Sequence, residues 1–423
     1  MIIQRNAVPA RRSGHIAILA ALSMVAIIST IAVSLDGGVI MSEHRHSQNA
    51  ADAAALAGAS DLYYNFWLYS GVDTPGTARA ASFAGAAQNG YSNDGVNSVV
   101  TVNIPPLSGY YIGRAGYVEV IVQYNEPRGF SSLFASGTVP IISRAVAMGM
   151  PIAGDMGILV LDPSSKGAFT LGGGGTLNVS DTPIIVDSAD PAGSIVNGNT
   201  VATANEFDFS GGYNILGGGS INGTINLNRP PTEDPLQYLP IPDPTTMTLQ
   251  SKKSVQYTNG DTYLQPGLYK GGISASGTAN LFLAPGVYYM QGGGFSFAGQ
   301  GNLTALGVMI YNAPGNGNSG GVSVTGSGVI NVSGPTSGVY QGLTFWQDRT
   351  STVTATISGG AGSSITGTFY FASALLNVNG GAGNNNIGSQ YISYDLNVTG
   401  GGTMNVQWTP NTVARRRMIT LVE

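Results

Sequence analysis

Hydrophobic positions change their period along the chain, and the changes mark three stretches. The first is unbroken: Ile16 to Leu35 reads IAILAALSMVAIISTIAVSL and holds no charge. About 20 apolar residues at 1.5 Å rise make one helix that spans the ~30 Å hydrocarbon core of a bilayer. The helical pattern continues over 41–71, which lacks proline and is rich in alanine at its centre, and alanine is the best helix former. Gly37-Gly38 is the expected place for a bend or break at the membrane surface. After the turn signal Asp73-Thr74-Pro75-Gly76 a short helix is expected over Thr77 to Gln88. The period then falls to two. Residues 99–103, 117–124 and 141–148 alternate as strands, punctuated by Pro105-Pro106 and Pro127, and predict a small antiparallel sheet.

The third stretch, about 155–410, strings short β runs between small-residue turns. Leu264-Gln265-Pro266-Gly267-Leu268-Tyr269 recurs nineteen residues on as Leu283-Ala284-Pro285-Gly286-Val287-Tyr288. Turn-then-strand units follow at Ser276-Gly277, Gly299-Gln300-Gly301, Gly326-Ser327-Gly328 and Gly400-Gly401-Gly402. Spacings of roughly 20–30 residues suit one coil of a β-solenoid. There each strand pairs with its equivalent above and below, inward Val, Ile, Leu and Phe fill a narrow core, and Asn and Thr stack in hydrogen-bonded ladders. A β-sandwich or jelly roll is the rival architecture. The proline-rich stretch 229–246 lacks the amide donors of a paired strand, and reads as a crossing segment or as a linker dividing 155–228 from 247–410. Residues 411–423, with Arg415-Arg416-Arg417, read as a solvated tail.

Charge orients the first stretch. Arg5, Arg11 and Arg12 precede it, and only Arg45 follows before Arg79. The bias places 1–15 in the cytoplasm, a transmembrane helix over 16–36 and the bulk outside, in the periplasm or at the cell surface. A cleaved secretory signal, ending near Ala32-Val33-Ser34, is the alternative, but its apolar region normally runs only roughly 7–15 residues. Asp36, at the edge of the span, reads as an end marker rather than an intramembrane site. Charged residues are 9% of the chain, against about 25% in ordinary domains. Glycine is abundant (62 of 423 residues), yet 43% of the chain is hydrophobic, which disfavours disorder. There are no cysteines, and a net charge of −5 without a basic stripe argues against nucleic acid.

One segment carries a family resemblance. An Arg-Arg-x-Gly start, the apolar span, Leu35-Asp36-Gly37-Gly38, then Gln48, Asn49, Ala50, Ala51, Asp52, Ala53, Ala54, Ala55, Leu56, Ala57, Gly58 and Ala59 follow in order. This resembles the N-terminal segment of TadG-like proteins of the bacterial Flp/tight-adherence pilus assembly group. The match extends more loosely over 37–150. Glu43-His44-Arg45-His46 departs from the arginine/tyrosine character expected there. The resemblance implies an inner-membrane-anchored, pilin-like α+β component whose partners are pilus or secretion apparatus proteins.

Candidate chemistry is sparse. The three histidines, His15, His44 and His46, all precede residue 47, so 47–423 holds neither histidine nor cysteine. That excludes Ser-His-Asp and Cys-His machinery and ordinary zinc ligation there. Carboxylates remain: Asp155, Asp162, Asp181, Asp187, Asp190, Glu206 and Asp208, then Asp261, Asp348 and Asp395. Asp162-Pro163 and Asp190-Pro191 read as turn starters, and Glu206 and Asp208 as the wet face of a strand. The aromatic cluster Tyr63, Tyr64, Phe66, Trp67 and Tyr69 reads as packing of the helix against the sheet, with a partner-docking face as the alternative. The expectation is therefore a membrane-tethered, non-catalytic protein of mainly-β solenoid architecture, with no catalytic, metal or cofactor residue. Its role would be structural or adhesive, with surface glycans as candidate ligands. A polysaccharide-degrading or carbohydrate-binding β-helix and a freely secreted adhesin are the alternatives.

Overall fold

The computed structural model describes residues 15–133, 135–313, 320–360 and 362–423; the arginines at 5, 11 and 12, and with them the cytoplasmic assignment of 1–15, lie outside the described residues. Pro151–Arg417 forms one compact unit, and the chain before it, with Met418–Glu423, forms another.

In the N-terminal unit, α1 runs from His15 to Tyr64 without interruption. Gly37 and Gly38 do not break it. A Cβ on either would meet nothing within 4 Å, so the cost is only about 1 kcal/mol of propensity each. Residues 16–35 are exposed almost throughout. Further on, Ser47, Ala50, Ala51, Ala54, Ala55, Ala59 and Leu62 are buried, a stripe of 3.6-residue period. It packs against α3 (Thr77–Gln88) and a sheet of β1 (Ser98–Asn103), β2 (Tyr117–Pro127) and β3 (Thr138–Ala153), paired antiparallel. Between them, α2 (Phe66–Tyr69) is a single turn with no buried residue. The aromatic cluster is thus half-exposed rather than packed under the sheet; the helix breaks at Asn65 before its rings reach the core.

The expected tail is a strand. Arg415–Leu421 is the fourth strand of this sheet, beside β3, and the Val422 amide donates to the Val146 carbonyl at 2.8 Å. The edge of β3 would otherwise be unpaired, and three arginines disguised the β character of Met418–Leu421. Arg416 meets Asp155 at 3.3 Å, and Arg417 lies 4.6 Å from the ring centre of Tyr238.

The second unit is a parallel β-solenoid of 27 strands. Each coil presents three faces. On the second face, Tyr257, Ala275, Phe297, Val324, Ile357, Val378, Val398, Leu171, Val196 and Ile215 form one inward column. Its order shows the topology: the coils from 249 to 406 stack first, and those from 158 to 226 continue the stack on top of 390–406. Residues 155–228 and 247–410 are therefore not divided; they are one stack entered by the chain in its middle. The join is stitched by side chains, Asn178 donating to Asn405 at 3.2 Å and Asn405 to Asn384 at 3.2 Å. Asn397 donates likewise to Asn377 at 3.0 Å, the expected ladder.

The PG corners explain the sequence repeat. Gly267 and Gly286 have φ of 142° and 139°, where a side chain is strained. The ladder pairs Tyr269 with Met290, two residues beyond the Tyr288 that the repeat aligns with it. A slip of two preserves the face, so both tyrosines point inward, their rings stacked 5.9 Å apart.

The proline-rich stretch is the crossing segment, a strap. It must return from the end of the stack at 226 to the other end at 249, about ten rungs or ~48 Å. Residues 227–248 reach ~68 Å in extended polyproline geometry but only ~33 Å as a helix. The strap runs over the outward side of the first face, where Leu268, Tyr289, Tyr311, Trp346, Tyr370, Ile392 and Leu159 form an apolar column. Leu236 and Leu239 are buried against this second core. The outward column of the second face is largely polar, for example Ser274, Ser296, Ser323, Thr356 and Asn377.

Candidate functional site

Two places carry functional character. The first is the long helix. Residues 16–35 show Ile, Leu and Val on every side, with Ile16 at 72% and Val33 at 75% exposure, the profile of a lipid-facing rod and not of a surface helix. Asp36 ends it. Its carboxylate accepts the amides of Phe130 at 2.9 Å and Ser131 at 2.6 Å.

The alanine-rich block has a packing role. Ala50, Ala51, Ala54, Ala55 and Ala59 are wholly buried, and small residues let the neighbouring backbones approach. A Cβ at Gly149 of β3 would stand 1.8 Å from the Ala59 carbonyl oxygen. Gln48 donates to Asp52 at 2.8 Å and to the Arg144 carbonyl at 3.0 Å, and Ser47 bonds Ser143 at 2.7 Å. Asn49 stays exposed.

The second place is a cleft of 500 Å³ beneath the strap, lined among others by Asp187, Thr232, Glu233, Asp234, Arg349 and Tyr394. Arg349 pins the strap: it donates to the carbonyls of Leu236 and Leu239 and, at 2.7 Å, to the Tyr370 hydroxyl. Tyr370 in turn donates to Asp234 at 2.5 Å. Burial pushes Asp234 upward against these partners. Asp187 is 4% exposed and accepts the Thr232 amide at 3.0 Å on one oxygen; burial raises it to about 6. The cleft offers polar acceptors, one aromatic face and apolar walls from Leu161, Pro163 and Ala372.

Of the carboxylates singled out in the sequence, only Asp187 lines this cleft. Asp162 and Asp395 meet on adjacent rungs: burial and then the charge of Asp162 raise Asp395 to about 6. Asp162 opens a turn, accepting the amides of Ser164 and Ser165 at 2.8 and 2.9 Å, and Asp190 does the same for Ala192 at 2.7 Å. Glu206 and Asp208 share the amide of Asn226. Asp261 accepts from Asn280 at 2.7 Å, Asp348 from the hydroxyl of Tyr311, and Asp181 sits in a left-handed turn with φ of 54°. Glu233, Asp234 and Arg349 were not legible as a site, because only the strap's path brings them together. Among the described residues no group of three His, Asp or Glu is placed to hold a metal.

Residues 14–61 match the family model Tad, described as Putative Flp pilus-assembly TadE/G-like. The N-terminal segment is thus TadE/G-like, and that match alone points to an association with Flp pilus assembly; the C-terminal region is a β-solenoid. No curated protein and no solved structure matches the chain.

Proposed function

We propose that this chain is a single-pass component of a Flp-type pilus assembly system, anchored in the bacterial inner membrane with its N-terminus in the cytoplasm. The α+β unit takes the part of a pilin-like module beside the apparatus, and the solenoid is held outside as a structural or adhesive element without catalysis. One observation carries the reading: an almost wholly exposed apolar half-helix runs without a break into a half folded against a sheet, and the TadE/G-like match spans both. Lipid is the solvent such a surface requires, and a rigid link of helix to sheet transmits the anchor's position to the outer part.

The test is fractionation of the full chain in a bacterium that carries the apparatus. We expect it to resist alkaline carbonate extraction, to keep its N-terminal apolar segment, and to co-purify from membranes with apparatus subunits. Release of the intact polypeptide by carbonate, or a mature N-terminus near Leu35, overturns the anchor and favours a secreted adhesin.

The strapped cleft favours a second reading, glycan binding by the solenoid. Carboxylate and amide acceptors for hydroxyl groups beside an exposed tyrosine ring suit a sugar. The detergent-solubilised chain is expected to bind on a glycan array, to lose that binding on Asp187→Asn, and to release no reducing ends. Turnover that Asp187→Asn abolishes would overturn the non-catalytic assignment.

A further inference from the structure

Both ends of the solenoid are open. At one end, strands Leu249–Ser251, Val255–Tyr257 and Asp261–Leu264 each pair on a single side, with the coil that follows. At the other, Tyr213–Leu216 and Ser220–Asn226 pair only with the coil before them. The described residues of Pro151–Arg417 hold no α-helix that could serve as a cap. Stacked-repeat proteins normally close their ends with a polar cap, and a bare strand edge is a template for pairing. The core also shows: Ile215, inward in its column, is 41% exposed, and Val255, Tyr257, Tyr213 and Ile221 are only partly covered.

The out-of-order topology makes this possible. Because the chain enters beside 158 and leaves after 406, at adjacent rungs within the stack, neither connection to the N-terminal unit starts from an end rung. The two ends also match. All rungs are parallel, so each bare strand at one end meets, in a following copy, a bare strand of the same face and direction. Tyr257 and Ile215 terminate one inward column, and Gln256 and Asn214 the outward column beside it.

We propose that solenoids of successive copies of this chain stack end to end, continuing the parallel ladder on all three faces. The contact is heterologous, the end at 249–264 of one copy on the end at 213–226 of the next, so it does not close on itself and builds an open rod. Each copy adds about ten rungs, ~48 Å. The occupant is a second copy rather than a foreign strand, because only a second solenoid offers three parallel strands at once.

The natural absence of cysteine supplies a clean test on the full chain in detergent. In the stacked rod, position 214 of one copy lies one rung, about 4.8 Å, from position 256 of the next, within disulfide reach. Asn214→Cys and Gln256→Cys are made singly and together, with mid-stack Ser296→Cys as control. Mild oxidation is expected to give a covalent ladder in the double variant and mainly 214–256 heterodimers in an equal mixture of the two singles. Negative-stain images are expected to show rods lengthening in ~48 Å steps, and Ile215→Lys to abolish ladder and rods alike. A single dispersed species with no cross-linking above the Ser296→Cys control overturns the proposal. So does cross-linking of Asn214→Cys with itself at the same yield as the mixture, which signals a closed end-on dimer.

Discussion

Glu119 shows how a buried charge is kept in so apolar a chain. It is wholly buried, and burial alone would raise its pKa, but the Ser108 hydroxyl, the Asn103 amide, the Leu107 N–H and Arg144 together hold it at about 2. Its folded value lies below the unfolded one, so its contribution is complete above about pH 4.5 and fades as pH falls toward 2. Glu119→Ala leaves the Asn103 amide and the Leu107 N–H without their acceptor and Arg144 with only Ser108 and Glu423, and should cost about 2–3 kcal/mol at pH 7 in denaturant melts, with a smaller loss at pH 3. Asp395 has the opposite sign. Raised to about 6, it favours the folded state most below about pH 4, and that benefit declines as pH rises to about 6. Asp395→Asn, able to donate to Asp162, is expected to raise stability at pH 7.5 by roughly 1 kcal/mol after solvent screening, read as a higher Tm, and to change little at pH 4. Gly149→Ala is the steric counterpart: its Cβ meets backbone, the Ala59 carbonyl, which no rotamer relieves, so a loss of about 1–3 kcal/mol or a failure to fold is expected. None of these partners is close in sequence. The residues themselves were visible, but the pairings 119 to 144 and 162 to 395 exist only once strands align.

At the scale of elements, the strap decides most. Strands such as Val308–Ala313 and Leu343–Gln347 are buried on both faces, which their apolar runs announce, although what covers the outer face cannot be read from the strands. It is a proline-rich segment that needs no ladder partners and spans the stack by being extended. Leu236→Ala and Leu239→Ala each remove a side chain packed on Trp346 and Tyr370's column, and should cost about 2–4 kcal/mol in thermal melts of the full chain. Arg349→Lys keeps the charge but loses the planar fork that reaches two carbonyls and Tyr370. The expected readout is faster proteolysis within 229–246, with the solenoid's β-sheet circular dichroism retained. The short helix Thr77–Gln88 and the three hairpin strands were legible from periodicity, because their partners are near in the chain.

At the scale of the molecule, the stack is continuous although the chain is not. Removing 155–246 would leave the 390–406 rung bare on every face and the outer aromatic column uncovered. That deletion is expected to yield insoluble protein, whereas two independent halves would survive it; solubility and size-exclusion profile in detergent are the measurement. The α+β unit is likewise completed by Arg415–Leu421, so truncation after 410 should expose β3 and destabilise that sheet.

What the sequence alone determined is local: an apolar rod of membrane length, an alanine stripe at helical period, coil-length repeats with glycine corners, and the absence of histidine and cysteine beyond residue 46. Each follows from covalent neighbours and a fixed period, so a window of 20–30 residues contains the information. Tertiary structure decided the order of the coils, the strap over an apolar face, the fourth strand from the apparent tail and the cleft beside Asp187. These depend on which strand edges find each other across some 200 residues, and edges with the same Val, Ile and Asn pattern are interchangeable until the whole stack selects one pairing that leaves the fewest amides and rings in water.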